Sequence, residues 1–321
     1  MVTGGGGYLA TGLVHELSRV KCRIVRLYRN GGTVPPPFPA AQAQIEDICG
    51  NITDSSIWTE LLEGADFVFH FAAQTSVYVA DEDPYADMQV NFMPAFCMLE
   101  ECRHKKYRPN IIFAGTATEC GIPCIMAANE NHPDNPVTVY DVHKLMAEKY
   151  LLCYARNGIV KGASLRLSNV YGPGPLSGSP DRGVLNRMVR KALKGETLTI
   201  YGNGENIRDY IYIDDVIKAF LSAGENMDSV NGNYYIIGSG MGFSIAQMVN
   251  LVSERAARKT GKKTGIISIP PPPGQSLVES RNFTADTSCF TEKTKWTPSV
   301  SLTEGIDRTI EYFLSRGEEW L

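Results

Sequence analysis

Through the first half of the chain, short apolar runs alternate with amphipathic stretches. Ile24 to Leu27, Phe67 to Phe71, Ile111 to Ala114 and Ala163 to Leu167 read as strands, with helices over 7–19, 87–105 and 140–156 between or after them. A helix returning the chain between two strands starts the next strand in the same direction, so the alternation predicts a parallel, doubly wound α/β sheet. At 321 residues and 43% hydrophobic content the chain fits one large domain of this kind plus a smaller lobe. Beyond Tyr171-Gly-Pro-Gly-Pro175 the texture changes to a loop bearing glycine, serine and proline, followed by shorter elements.

Three motifs carry chemistry. Val2-Thr-Gly-Gly-Gly-Gly-Tyr-Leu-Ala10 is a glycine-rich turn between a short apolar run and an amphipathic stretch. There Gly4 permits a tight turn, Gly7 lets backbone N–H groups approach a pyrophosphate, and Ala10 lets helix and strand pack closely. Tyr140 and Lys144 are four residues apart, which stacks a phenol and an ammonium on one helical face. A cation beside a phenol favours the phenolate, so Tyr140 suits removal of a proton from an alcohol; the alternative is an ordinary solvated face. Ile111-Ile-Phe-Ala-Gly-Thr116 is a buried strand ending in a hydroxyl, at the sheet edge where ligands of open α/β folds bind.

Together with Phe67-Val-Phe-His-Phe-Ala-Ala-Gln74, Leu165-Arg-Leu-Ser-Asn-Val-Tyr-Gly-Pro173 and Tyr201-Gly-Asn-Gly-Glu-Asn-Ile-Arg-Asp-Tyr210, these motifs resemble the extended short-chain dehydrogenase/reductases. The resemblance is to their NAD-dependent epimerase/dehydratase branch, which acts on nucleotide-linked sugars, and it covers nearly the whole chain. It implies a Rossmann domain over 1–170. A mainly substrate-binding lobe would occupy 171–321, with segments near 214–240 (helix 214–222, strand 232–236) returning to the large domain. Thr116 would orient a sugar hydroxyl, Tyr140 would take its proton, and Lys144 would lower the Tyr140 pKa while holding the nicotinamide ribose. The cofactor would lie against Gly4, Gly7, Tyr8 and Leu9, then Arg29, Asn30, Asn51 and Ile52, and then Phe71, Ala72, Ala73, Gln74 and Asn91. Asn169, Arg208 and Arg281 would hold the sugar-nucleotide diphosphate, with Thr118 at the sugar and Leu185, Leu198 and Tyr201 flanking the base. His70 is expected to make a structural hydrogen bond and His143 to be solvated.

The chain departs from its relatives in two places. Dehydratases of the family carry Asp-Glu directly after the Thr, whereas this chain has Ala117 and Thr118, as in hexose 4-epimerases. Those epimerases continue Val-Tyr-Gly where this chain has Glu119-Cys120-Gly121. Glu119 is then an extra acid/base and Cys120 a proton carrier, or else Cys120 enlarges the pocket and Glu119 faces a solvated loop. The second departure is at the end of the second strand, where Tyr28-Arg29 replaces the usual carboxylate, so that NADP as well as NAD becomes a candidate cofactor. The implied activity is C4 inversion of a nucleotide hexose through a 4-keto intermediate. Alternatives are an NADPH-dependent 4-ketoreductase, a dehydratase using Glu119 or Cys120, and a non-catalytic sensor.

With 31 basic against 35 acidic residues, the charge balance points to neither nucleic acid nor an anionic membrane as partner. The eight cysteines form no C-x-x-C pair and no cluster at ligand spacing, so no metal site is expected. They read as mostly buried, reduced thiols of a cytoplasmic protein. No run reaches transmembrane length, no signal peptide is expected, and the first strand, Met1-Val2-Thr3, reads as truncated. A homodimer through helices including that of Tyr140 is implied by the resemblance.

Overall fold

A computed structural model describes residues 1–175 and 183–317, so part of the loop expected after Pro175 lies outside the described residues. In chain order the strands are β1 (Val2–Thr3), β2 (Arg23–Tyr28), β3 (Gln44–Cys49), β4 (Phe67–His70), β5 (Asn110–Thr116) and β6 (Lys161–Leu167). They continue with β7 (Asn169–Tyr171), β8 (Leu198–Tyr201), β9 (Ile207–Tyr212), β10 (Tyr234–Ile237), β11 (Gly242–Ser244) and β12 (Ile266–Ile269). Seven form one sheet in the order β10-β6-β5-β4-β1-β2-β3, and every pairing in it is parallel. The winding therefore runs outward from β1 in both directions, leaving a crevice at the carboxyl ends of β1 and β4. This is the expected Rossmann architecture. β7, β9 and β11 make a separate three-stranded sheet, and β8 pairs in parallel with β12.

Two apolar layers cover the large sheet. One joins Leu13 and Val14 of the helix Tyr8–Leu17 to Val216 and Phe220 of the helix Ile213–Glu225, while the other packs Trp58, Met98, Leu99 and Leu151 together. No helix among the described residues is long and apolar enough to cross a membrane.

Three sequence expectations need correction. β3 carries no apolar run and was not foreseen. It is an edge strand whose residues are half-buried or exposed, and Glu46 and Asp47 pair with Arg23 (2.8 Å) and Arg26 (2.6 Å) of β2. The helix expected over 87–105 is two helices, Pro84–Asn91 and Met93–Lys105, parted at Phe92. Pro94, in the first turn of the second helix, has no N–H to continue the ladder of the first. Only Cys102 and Cys120 of the eight free cysteines are buried, and Cys49, Cys124 and Cys153 are exposed.

Candidate active site

The glycine turn lies at the mouth of the crevice. Gly4 has φ +69°, and a Cβ there would stand 3.0 Å from the Ala72 nitrogen; at Gly6 it would stand 1.8 Å from the Thr33 carbonyl oxygen. Only glycine lets the segments after β2 and β4 close this tightly on the turn. Exposed Gly7 caps the helix Tyr8–Leu17 with no side chain bonded to its first N–H groups. An uncapped helix start with a glycine rim is a cradle for a pyrophosphate, so these residues fit a dinucleotide. The Tyr8 hydroxyl donates to the Gly172 carbonyl at 2.8 Å, so its side chain ties the turn to the segment after β7, while Leu9 is partly buried against the core.

Thr3 organises the floor. Its oxygen accepts the N–H groups of Phe71 and Ala72, both at 3.0 Å, and it meets His70 Nδ1 at 3.2 Å. Burial, reinforced by the charge of Lys144, pushes the His70 imidazole down to about 3, leaving it a neutral structural partner. Ala73 follows in the same partly buried turn. The Gln74 side chain donates to Ser76 O (2.7 Å) and to Asp87 (2.8 Å). Asp87 also accepts Asn91 Nδ2 at 2.7 Å and pairs with His143 Nδ1 at 2.7 Å. His143 is thus buried rather than solvated, because a carboxylate from the neighbouring helix meets it. Asn91 Oδ1 has no hydrogen-bond partner among the described residues.

Thr116 ends β5 and caps the 3₁₀ turn Ala117–Cys120. Its hydroxyl lies 2.8 Å from that of Thr118, which donates to Asp141, the residue after Tyr140. The end of β5 is thereby joined to the start of the helix Val139–Arg156, which carries Tyr140 and Lys144, 6% and 3% exposed. Lys144 Nζ sits 3.9 Å from the centre of the Phe113 ring. Burial holds its ammonium down to about 8, against the opposing pull of Glu119, Glu148 and Asp87.

Glu119 does not face a solvated loop. It is fully buried, accepts the Thr116 N–H at 2.9 Å and pairs with Arg166 of β6 at 2.9 Å. Arg166 is also held by both Glu148 oxygens (2.6 and 3.0 Å) and by Asp134 (2.7 Å), and lies over the Tyr234 ring at 3.6 Å. Burial and the Glu148 charge push the Glu119 carboxyl up, with Arg166 opposing. Cys120 is buried, which pushes its thiol up to about 11.

The remaining expected residues are spread along the crevice and the smaller sheets. Arg29 and Asn30 are exposed just after β2. Exposed Asn51 accepts the Thr53 N–H at 3.1 Å, and Ile52 is partly buried. Arg208 and Arg281 come together: Arg208 donates to the carbonyls of Arg281 and Glu279 (2.8 Å to the latter), and Arg281 donates to Val278 at 2.7 Å. Asn169 opens β7 and is partly buried, and Tyr201 is 52% exposed. Leu185 and Leu198 instead point into the main core.

Asp87, Asp134, Asp141, Glu148 and Arg166 were not foreseen as site residues. The available signal was a charged residue inside a mostly apolar strand, Arg166 in Ala163–Leu167, which has to find buried counter-charges.

Known proteins resemble this chain over nearly its whole length. A UDP-glucose 4-epimerase of Mycolicibacterium smegmatis is 27% identical over 99% of both chains. A UDP-N-acetyl-alpha-D-glucosaminuronate decarboxylase of Bacillus cytotoxicus is 27% identical over 98% of this chain and 97% of its own. Among solved structures, the UDP-glucose 4-epimerase of Thermotoga maritima with UDP-glucose superposes with a TM-score of 0.86 at 29% identity, over 99% of both chains. The Thermus thermophilus UDP-glucose 4-epimerase complex with NAD gives 0.82 at 27% identity, over 99% of this chain and 98% of that one. The model of the NAD dependent epimerase/dehydratase family, a family of enzymes, matches residues 1–238, and the chain belongs to that family.

Proposed function

We propose that this enzyme is a nucleotide-sugar epimerase that inverts C4 of a nucleotide hexose through a 4-keto intermediate, with a nicotinamide dinucleotide as cofactor. The observation that carries the reading is what surrounds Thr116. Ala117 and Thr118 stand where a dehydratase needs an acid pair. The one adjacent carboxylate, Glu119, is bound to Arg166, and the Cys120 thiol is pushed up to about 11. Both side chains are fully buried behind the turn, which leaves Tyr140 as the acid/base at the site.

When bound, the nicotinamide supplies reversible two-electron oxidation of the sugar carbon. Tyr140 takes the hydroxyl proton and later returns it. Thr116 orients that hydroxyl, and the Lys144 charge favours the phenolate and holds the ribose. The glycine turn, the partly buried 71–74 segment and Asn91 line the dinucleotide site. Arg208 and Arg281 of the lobe after residue 171, together with Asn169 of β7, would hold the diphosphate, with Tyr201 beside the base. UDP-sugars are the first substrates to test, since UDP-glucose is bound in the T. maritima relative. Tyr85, Val142 and Tyr150 expose apolar surface on the helices Pro84–Asn91 and Val139–Arg156, which suits a homodimer, and eight free thiols suit a reducing, cytoplasmic setting.

Arg29 favours a second reading. With no carboxylate ending β2, an exposed guanidinium is compatible with the 2′-phosphate of NADP, and hence with a 4-ketoreductase. Incubation with UDP-, GDP-, CDP- and dTDP-hexoses, followed by NMR of the products and nicotinamide absorbance, separates the two. A C4 epimer formed without net cofactor consumption is expected. Steady NADPH oxidation on a 4-keto sugar would establish the reductase instead.

A further inference from the structure

The pair Glu119–Arg166 belongs to neither the cofactor cradle nor the lobe, yet it sits directly behind the reacting groups. One Glu119 oxygen accepts the Thr116 N–H at 2.9 Å, closing a reciprocal capping box in which the Thr116 side chain caps the same turn. The other oxygen is 2.9 Å from Arg166 Nε, and both side chains are fully buried. Arg166 is anchored in turn by Glu148, on the same helix as Lys144. From this geometry we infer that Glu119 is a positioning residue, fixing the Thr116 end of β5 through its backbone.

The anchor works because Thr116 is the last residue of β5 and its N–H is turned toward the carboxylate. Without that acceptor the N–H beside the reacting hydroxyl would lose its partner and the turn would lose one half of its capping box.

The inference rests on the role proposed for Thr116, so its test includes a readout independent of turnover: hydrogen exchange of the Thr116 amide, followed by NMR in wild type, Glu119→Gln and Glu119→Asp. Gln keeps the acceptor for the Thr116 N–H, so amide protection and kcat should stay near wild type. Asp is one methylene short, so the Thr116 amide should exchange about tenfold faster while kcat falls about tenfold with KM little changed.

Wild-type protection of the Thr116 amide in Asp, or a wild-type kcat in Asp, overturns the inference. Should Glu119→Gln not fold, the Asp variant decides alone, faster Thr116 exchange with a lowered kcat supporting the inference. Absence of turnover in wild type on every nucleotide sugar would refute the proposed reaction, and the exchange rate would still decide the anchor.

Discussion

Tyr140 and Lys144 are the residues on which activity should turn. Tyr140→Phe removes only the phenolic oxygen from a side chain packed among Val77, Ala80 and Val278, so the fold and cofactor affinity should persist while kcat falls at least a hundredfold. Turnover near wild type, measured with the product assay, would remove Tyr140 from the mechanism. Lys144→Ala should lower both kcat and cofactor affinity, because the same ammonium serves phenol and ribose. Arg29 is the residue for cofactor choice. Charge-assisted bonds to phosphate contribute about 1.5–3 kcal/mol, so Arg29→Asp should weaken NADP at least tenfold more than NAD. Equal changes in the two affinities, measured by titrating both oxidised cofactors, would make Arg29 a surface residue only. Tyr140 and Lys144 were singled out by their spacing and residue types, and Arg29 through the family resemblance. The burial of His143, Glu119 and Arg166 was not legible, because burial of a charged group is decided by partners distant in sequence: Asp87 for His143, and Glu148, Glu119 and Asp134 for Arg166.

Among the elements, β4 carries the clearest linkage to pH. His70 is pushed down to about 3 from 6.5, so protonation favours the unfolded chain. Its contribution is fully present above pH 6.5 and is lost progressively as pH falls toward 3. By about pH 5 the loss is roughly 2 kcal/mol, taking 1.4 kcal/mol per unit. His70→Asn retains an acceptor for Thr3 but cannot titrate. Urea unfolding at about pH 7 and pH 5 should therefore show a smaller acid loss in the variant, and an identical loss would mean that His70 is not the sensor. The buried strands β2, β4, β5 and β6 were readable as apolar runs. β3 was not, because an edge strand facing solvent needs no such run and is held by Arg23 and Arg26 across the pair.

For the whole molecule, Asp209 of β9 is the stitch between the smaller sheet and the large one. Its carboxylate accepts Ser239 N–H and Oγ (2.7 and 2.8 Å), just past β10, together with the N–H groups of Gly240 and Ala285 at 3.0 Å. Asp209→Ala removes a buried acceptor shared by four donors and should cost on the order of 3 kcal/mol in urea unfolding, with Asp209→Asn costing less because the amide oxygen still accepts. Arg208 is its strand neighbour, so KM for the nucleotide sugar should rise more than cofactor affinity falls. A loss under about 1 kcal/mol would show that the two sheets are joined by apolar packing alone.

The sequence by itself determined the parallel doubly wound sheet, the glycine turn and the family's Thr, Tyr and Lys, because periodicity, turn chemistry and residue type are local properties. Only the tertiary structure decided that Glu119 is caged by Arg166, that His143 is inside and that Leu185 and Leu198 serve the core. Each depends on which distant side chain arrives to cover or pair a group, and the energy of a buried charge is set by that neighbour rather than by its place in the chain.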